Sequence, residues 1–302
     1  MMLALFIPWI LLFLIIVTLL SLFKRWYRVS GLLLVVALIV NWHWQVFAFG
    51  FNSLSDKKED NVLRVMTWNV NRADSLFWGK DKDLAETIKG QNADVIFLTE
   101  FNPSIYNGLN SILKSTFAYD DGAQKNWTHN AVFSNIPIKI CETWNDTIHF
   151  YSYELILEND TIGLYPVHLQ SNNRLTPSEN FYPEDIQNQE GLSRYLKAYE
   201  VQSRKRVLYA EFICGRCKGP SIVMGDFNDV YSSPVMSFFE NAGLKNAWWE
   251  GGFGYGATFH NPLPYRIDHI LYSNCLKLKG IRKIPAEGLS DHDALVADFE
   301  IK

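Results

Sequence analysis

Apolar and polar positions divide the chain into two parts. Met2 to Phe23 contain no charged side chain, and these 22 residues, rising about 1.5 Å each, would cover roughly 33 Å, the thickness of a bilayer core. A transmembrane helix is predicted there. After the cluster Lys24-Arg25-Trp26-Tyr27-Arg28 comes a second uncharged run, Val29 to Phe51, in which Asn41, His43 and Gln45 interrupt the apolar residues. Together these runs read as an N-terminal membrane anchor over residues 1–51, with one or two helices at about 2–23 and 29–51. For His43, packing beside Trp42, Trp44 and Gln45 is favoured over a functional intramembrane group. Residues 52–60 are polar and charged and read as a linker. Residues 61–302 then make one folded domain.

Within that domain, short β-type runs alternate unevenly with helical periodicity. Strands are predicted at Leu63 to Trp68, Val95 to Thr99, Asn130 to Ser134, Tyr153 to Leu157, Ile162 to Val167, Ser221 to Met224, Ile267 to Tyr272 and Leu295 to Ile301. Helices are predicted near Asp81 to Gly90, Ile105 to Leu113, Ile186 to Cys214 and Pro234 to Asn241, the last capped by Ser233 and started by Pro234. Many strands with few, irregularly placed helices suggest layered sheets flanked by helices and fit a strictly alternating parallel barrel poorly.

Composition and charge refine this picture. An apolar fraction of 48%, with 15% aromatics, excludes a disordered chain. A cleaved signal peptide would need a basic start, a shorter apolar stretch and a small-residue cleavage site, none of which is evident. If both apolar segments span, the basic residues between them belong in the cytoplasm, which puts the domain on the extracytoplasmic side. Lys57 and Lys58 oppose that orientation, and a second segment that fails to cross would reverse it. Beyond residue 51 the chain holds 25 basic and 32 acidic residues, a formal charge of −7. A nucleic-acid enzyme normally presents a basic stripe, so this balance lowers the expectation of a nuclease without eliminating it. Cys214 and Cys217 have C-x-x-C spacing, yet no second half-site accompanies them, which favours plain thiols or one local disulfide over a metal.

Candidate chemistry gathers at strand ends, where loops display reactive groups on a rigid scaffold. The series is Thr67-Trp68-Asn69-Val70-Asn71, Leu98-Thr99-Glu100, Pro166-Val167-His168, Met224-Gly225-Asp226-Phe227-Asn228-Asp229, Arg266-Ile267-Asp268-His269 and Ser290-Asp291-His292-Asp293. Singly, each reads as a turn residue or helix cap. Jointly, carboxylates, amides and histidines at successive strand ends supply a hydrated hard-cation site, for Mg²⁺ takes oxygen ligands and keeps positions for water and phosphate.

These motifs, in this order over about residues 61–302, resemble the endonuclease/exonuclease/phosphatase superfamily, which includes abasic-site endonucleases, neutral sphingomyelinases and inositol polyphosphate 5-phosphatases. The resemblance implies a four-layer α-β-β-α sandwich of the deoxyribonuclease I type, here preceded by one or two N-terminal transmembrane helices. It further implies metal ligation by Asn69, Glu100 and Asp291, with Asn71 as an additional candidate where several members carry Asp. Asp226 and Asn228 match the pair that orients water and phosphate, and His168 matches a phosphate contact. His292 matches the essential histidine, as a base or a cationic clamp, and Asp268 the acid that holds it. His269 and Asp293 adjoin these motifs but are expected to point elsewhere.

The implied activity is a divalent-metal-dependent phosphoesterase using Mg²⁺, or Mn²⁺, on a phosphate mono- or diester. The anchor and the acidic balance point to a bilayer-associated substrate such as a lipid headgroup. An extracytoplasmic nuclease is the second reading and a non-catalytic membrane scaffold the third. For substrate choice, Ser171 to Asp185 reads as a lid or a plain surface connection. Trp248 to Gly256 reads as an aromatic stacking platform, as a segment that dips into lipid headgroups, or as a packed loop, and Ala257-Thr258-Phe259 resembles a Thr-aromatic element that many members place beside the site.

Overall fold

The computed structural model describes residues 3–51, 54–55, 57–59, 61–71, 78–121, 129–144, 149–172, 174–176, 179–180, 189–260 and 263–301. Its helices are α1 (Leu3–Phe23), α2 (Tyr27–Trp44), α3 (Asp81–Gly90), α4 (Asn107–Thr116), α5 (Gln189–Cys214), α6 (Pro234–Asn241) and α7 (Ala247–Gly251). The first eight strands are β1 (Ala48–Phe49), β2 (Val62–Asn69), β3 (Val95–Thr99), β4 (Tyr119–Asp120), β5 (Ala131–Ser134), β6 (Ile138–Trp144), β7 (His149–Ile156) and β8 (Thr161–His168). The remainder are β9 (Arg174–Thr176), β10 (Glu179–Asn180), β11 (Ser221–Asp226), β12 (Leu244–Asn246), β13 (Phe253–Gly254), β14 (Asp268–Ser273), β15 (Lys277–Ile284) and β16 (Ala294–Glu300).

Two six-stranded sheets carry the domain, in the orders β15-β16-β2-β3-β5-β4 and β12-β14-β11-β8-β7-β6. Every strand pair in them is antiparallel except β2 with β3 and β8 with β11. The sheets meet face to face over Val65, Phe97 and Leu295 from the first and Leu164, Met224 and Ile270 from the second. Burying each such side chain contributes about 2 kcal/mol. On the outer face of the first sheet, Leu84, Ala85 and Ile88 of α3 and Leu109 and Leu113 of α4 cover Met66, Ile96 and Val296. Ala210 and Ile213 of α5 and Val235 and Phe239 of α6 cover Val223 and Leu271 on the other. The result is the four-layer α-β-β-α sandwich.

Helices α1 and α2 pack together and are each long and apolar enough to cross a membrane. The second is shorter than the predicted 29–51. It stops at Trp44 because Gln45 turns left-handed, at φ 47°, and spends its polar groups on the domain: its carbonyl accepts from Arg266 Nη2 at 2.7 Å and its side chain donates to Glu240 at 3.0 Å. Ala48 and Phe49 then pair with Gly254 and Phe253. In the described part of the expected linker, Leu54 is buried with the α3 cluster, Ser55 accepts from Arg64 and Lys58 pairs with Asp94. The Ser171 to Asp185 insertion contains the short β9–β10 ribbon; apart from that ribbon and residues 171–172 it lies outside the described residues. Trp248 is a packed residue, not a platform: it is buried in the inter-sheet core from the five-residue helix α7, which the Asn246 side chain caps. All four cysteines are free thiols, and burial pushes Cys214 up to about 11 and Cys217 up to about 12.

Candidate active site

Both parallel strand pairs end at the same edge of the sandwich. In one sheet Asn69 lies opposite Thr99, with Glu100 next in the chain. In the other, His168, Asp226 and Asp268 form one row across β8, β11 and β14. The Ser290-Asp291-His292 turn, which feeds β16 beside β2, is pinned to the first group. Ser290 Oγ donates to Asn69 O at 2.7 Å, and Trp68 Nε1 donates to His292 O at 2.8 Å. Gly225 lets the row form, because a Cβ there would lie 1.9 Å from Val167 O and its φ of +139° is open only to glycine. Asn71, Glu100 and Asn228 also adopt left-handed backbone, at φ 45°, 54° and 50°. For Glu100 in particular this stores about 1 kcal/mol or more, a cost typical of functional sites.

Side chains from both sheets converge on Asp226. Its Oδ2 accepts from Asn69 Nδ2 at 3.0 Å and its Oδ1 from the Asn228 amide at 2.8 Å. His168 Nε2 stands 3.9 Å from Asp226 Oδ2 and 3.8 Å from Glu100 Oε1. Asn228 is itself fixed by donation to Leu169 O at 2.9 Å. Across the row, His292 Nδ1 meets Asp268 Oδ2 at 2.8 Å. The Thr258 hydroxyl accepts from the Asp268 amide at 3.1 Å, its carbonyl accepts from the Asp293 amide at 2.7 Å, and the Phe259 ring lies 4.9 Å from that of His292. The Thr-aromatic element therefore ties the acid's strand to the histidine's turn.

Burial and the neighbouring Asp268 charge raise Asp226 to about 6, against the pull of His292 and His168. For His292, burial pulls the pKa down, but the charge and hydrogen bond of Asp268, with Asp226 and Asp291 behind them, hold it at about 10. Burial and charge thus raise both groups, the Asp226 carboxyl toward neutral pH and the His292 imidazole above it, an environment of the kind that sets acid and base groups apart.

Ligand atoms of Asp226, Asp268 and His292 lie within 4.8 Å of one another, a spacing that would admit a cation. In that triad His292 Nδ1 is already committed to Asp268, which leaves only Nε2 of the imidazole for an ion. The better half for a cation is the other one. Burial raises Asp291, the His292 charge and an Asn71 hydrogen bond oppose the rise, and the Glu100 charge adds to it, so the two carboxylates lie within electrostatic reach of each other, with the amide of Asn71 bonded to Asp291 and that of Asn69 nearby. That oxygen donor set fits a hard divalent ion.

His269 and Asp293 do turn away from this edge. His269 Nε2 lies 3.0 Å from Asp229 O among the outer-layer aromatics, and Asp293 pairs with Lys283 and His260 at 2.6 and 2.9 Å. Sequence reasoning missed a buried pair behind the site, Arg206 with Asp229 at 3.2 Å. Arg206 Nη1 also holds Gln170 O and Asn172 Oδ1 at 2.7 and 2.8 Å. The signal was available: Gln202, Ser203 and Arg206 lie on the buried stripe of α5 among Ala198, Tyr199, Ala210 and Ile213.

A four-layer sandwich bearing this edge belongs to a class of divalent-metal-dependent phosphoric ester hydrolases. The chain matches the Endonuclease/Exonuclease/phosphatase family over residues 66–292 and is a member of it. Solved structures agree on the fold. The humanized TDP2 of D. rerio superposes with a TM-score of 0.57 at 14% identity, over 80% of this chain and 100% of that one. An endonuclease/exonuclease/phosphatase family protein from Leptotrichia buccalis gives 0.55 at 18%, over 79% and 100%. D. rerio TDP2 complexed with a single-strand DNA product gives 0.55 at 16%, over 80% and 100%. No curated protein matches the sequence.

Proposed function

We propose that the chain is a membrane-anchored hydrolase of a phosphate mono- or diester, with Mg²⁺ as its ion and a lipid headgroup or other bilayer-associated phosphoester as its substrate. The carrying observation is the convergence of Asn69, Asn228, His168 and Glu100 on the buried Asp226. In this reading Asp226 and Asn228 orient the attacking water and Asp226 takes its proton. His168 and the His292 imidazolium donate to non-bridging phosphate oxygens, and Asp268 keeps His292 charged and aligned. Glu100, Asp291 and Asn69, with Asn71 beside them, would hold the ion, which supplies charge neutralisation at the phosphate. Support for the anchor is the pair of long apolar helices with Lys24, Arg25 and Arg28 confined between and at the start of them, an arrangement that places the domain outside the cytoplasm if both cross.

Purified full-length protein incubated with phospholipid, sphingolipid and inositol-phosphate panels should release product only with Mg²⁺ present. Absence of metal-dependent turnover on every panel would remove the reading. Nucleic acid is the second candidate, because one similar structure carries a DNA product; the −7 balance beyond residue 51 counts against it. Nicking of plasmid or abasic duplex at low salt decides between them.

A further inference from the structure

The apolar hairpin and the domain are locked together, and the junction lies beside the active site. Arg266, fully buried, donates to Gln45 O at 2.7 Å and to Tyr255 O at 3.2 Å. Asn246 Nδ2 reaches Gln45 Oε1 at 3.3 Å, and Ser232 Oγ donates to Ala4 O, at the start of α1, at 2.9 Å. The Trp9 ring of α1 stands edge-on to Tyr265 at 6.5 Å. From Tyr265 the chain runs three residues, at most about 10 Å, to Asp268. Tyr265 also pairs through its backbone with Phe259, whose ring touches His292.

On the other flank of the hairpin, aromatic side chains stand in the open. Trp42, Phe49, Phe51 and Phe253 are 74%, 61%, 84% and 66% exposed. They form contacting pairs, Phe51 with Phe253 at 5.9 Å and Trp42 with Trp249 at 5.9 Å. A cleft of about 740 Å³ runs between α2 and α7, from Leu38 and Ile39 to Phe49 and Trp249. Soluble surfaces rarely leave so many large rings together. Here they continue, without a break, the exposed apolar side chains Leu38 and Ile39 of α2, at the helix end where aromatic belts meet the bilayer interface.

We propose that this aromatic face is seated in the interfacial layer of the bilayer on the domain's side, so that the domain stands on the membrane in one orientation and its site opens at headgroup depth onto the phosphate of a bilayer lipid. The polar zone on each side of a bilayer is about 5–8 Å deep, comparable with the step from Tyr265 to Asp268. The substrate clause rests on the phosphoesterase reading; the seating does not.

The test uses the full chain in phosphatidylcholine nanodiscs. An environment-sensitive fluorophore is attached at Phe253→Cys in a Cys275→Ser background, which removes the one exposed thiol, with Lys218→Cys at the opposite edge of β11 as the comparison. Headgroup-nitroxide lipid should quench residue 253 several-fold more than residue 218. Equal quenching, or protection of residue 253 only in discs holding two copies, overturns the seating in favour of solvent or of a protein partner. In parallel, the Phe49→Ser/Phe51→Ser/Phe253→Ser variant should lose at least about tenfold in turnover of vesicle lipid while hydrolysing a soluble aryl phosphodiester within about twofold of the parent. An equal loss on both substrates overturns the headgroup-depth claim. If the parent hydrolyses neither, the phosphoesterase reading falls while the quenching result still decides the seating.

Discussion

Strand β2 begins and ends on buried charge, and the two ends are built on opposite rules. Near its start, Arg64 grips Asp298 of β16 through two bonds, at 2.7 and 2.8 Å, and gives two further donors to Gln91 O and Ser55 O at 3.0 and 2.9 Å. Five residues on, about 17 Å away, Asn69 enters a cluster in which acids crowd one another, Asp226 is pushed up to about 6, and Asp268 Oδ1 has no partner among the described residues. One end is a closed ion pair of the kind that orders a fold. The other leaves carboxylate charge unbalanced, the kind of perturbed cluster that marks functional sites.

The contrast can be broken at either end. His292→Asn, which keeps a side-chain N–H beside the buried Asp268, should lower kcat by about 10⁴-fold at a smaller stability cost than Arg64→Leu, which steady-state kinetics beside a melting curve would establish; a comparable loss of stability would mean the site end is structural too. Arg64→Leu should do the reverse, costing about 4 kcal/mol in denaturant unfolding by stranding buried Asp298, while the folded fraction keeps its kcat. A third buried group, His269, responds to pH. Burial first, then the Arg266 charge, depress it from 6.5 to about 3. The unfolded chain therefore binds the proton the native state refuses, and stability present above pH 6.5 falls as pH drops toward 3. At pH 5 this residue should account for about 2 kcal/mol of loss, and a His269→Gln variant should show a flatter unfolding profile between pH 5 and 6.5. The smallest effect belongs to Thr258→Val, about 1 kcal/mol in stability, from removing the acceptor for the Ile267 and Asp268 amides.

What the sequence disclosed follows the same division. Strand-end polar residues stood out because each interrupts or terminates an apolar run, and the structure brings Asn69, Glu100, His168, Asp226, Asn228, Asp268, Asp291 and His292 to one edge. Strands β6 and β15 were not predicted. Both lie at sheet edges, where one face is wet, and the run Lys277-Leu-Lys-Gly-Ile-Arg-Lys-Ile284 carries a register shift between Leu278 and Gly280 that disturbs its alternation. Helix α7 has five residues, too few for periodicity to register. The end of α2 was misplaced because Gln45 to Phe51 is apolar enough to extend a span; what stops it is a set of bonds to Arg266, Glu240 and Asn246, each about 200 residues away in the chain.

The left-handed backbone at Asn71, Glu100 and Asn228 makes this edge a place where selection for robustness and selection for turnover pull apart. Glycine at position 100 would relax the chain, stabilising it by about 1 kcal/mol, and would also delete a carboxylate proposed to hold the ion. A library sorted on thermal resistance alone should therefore drift toward inert proteins, with position 100 among the first to change.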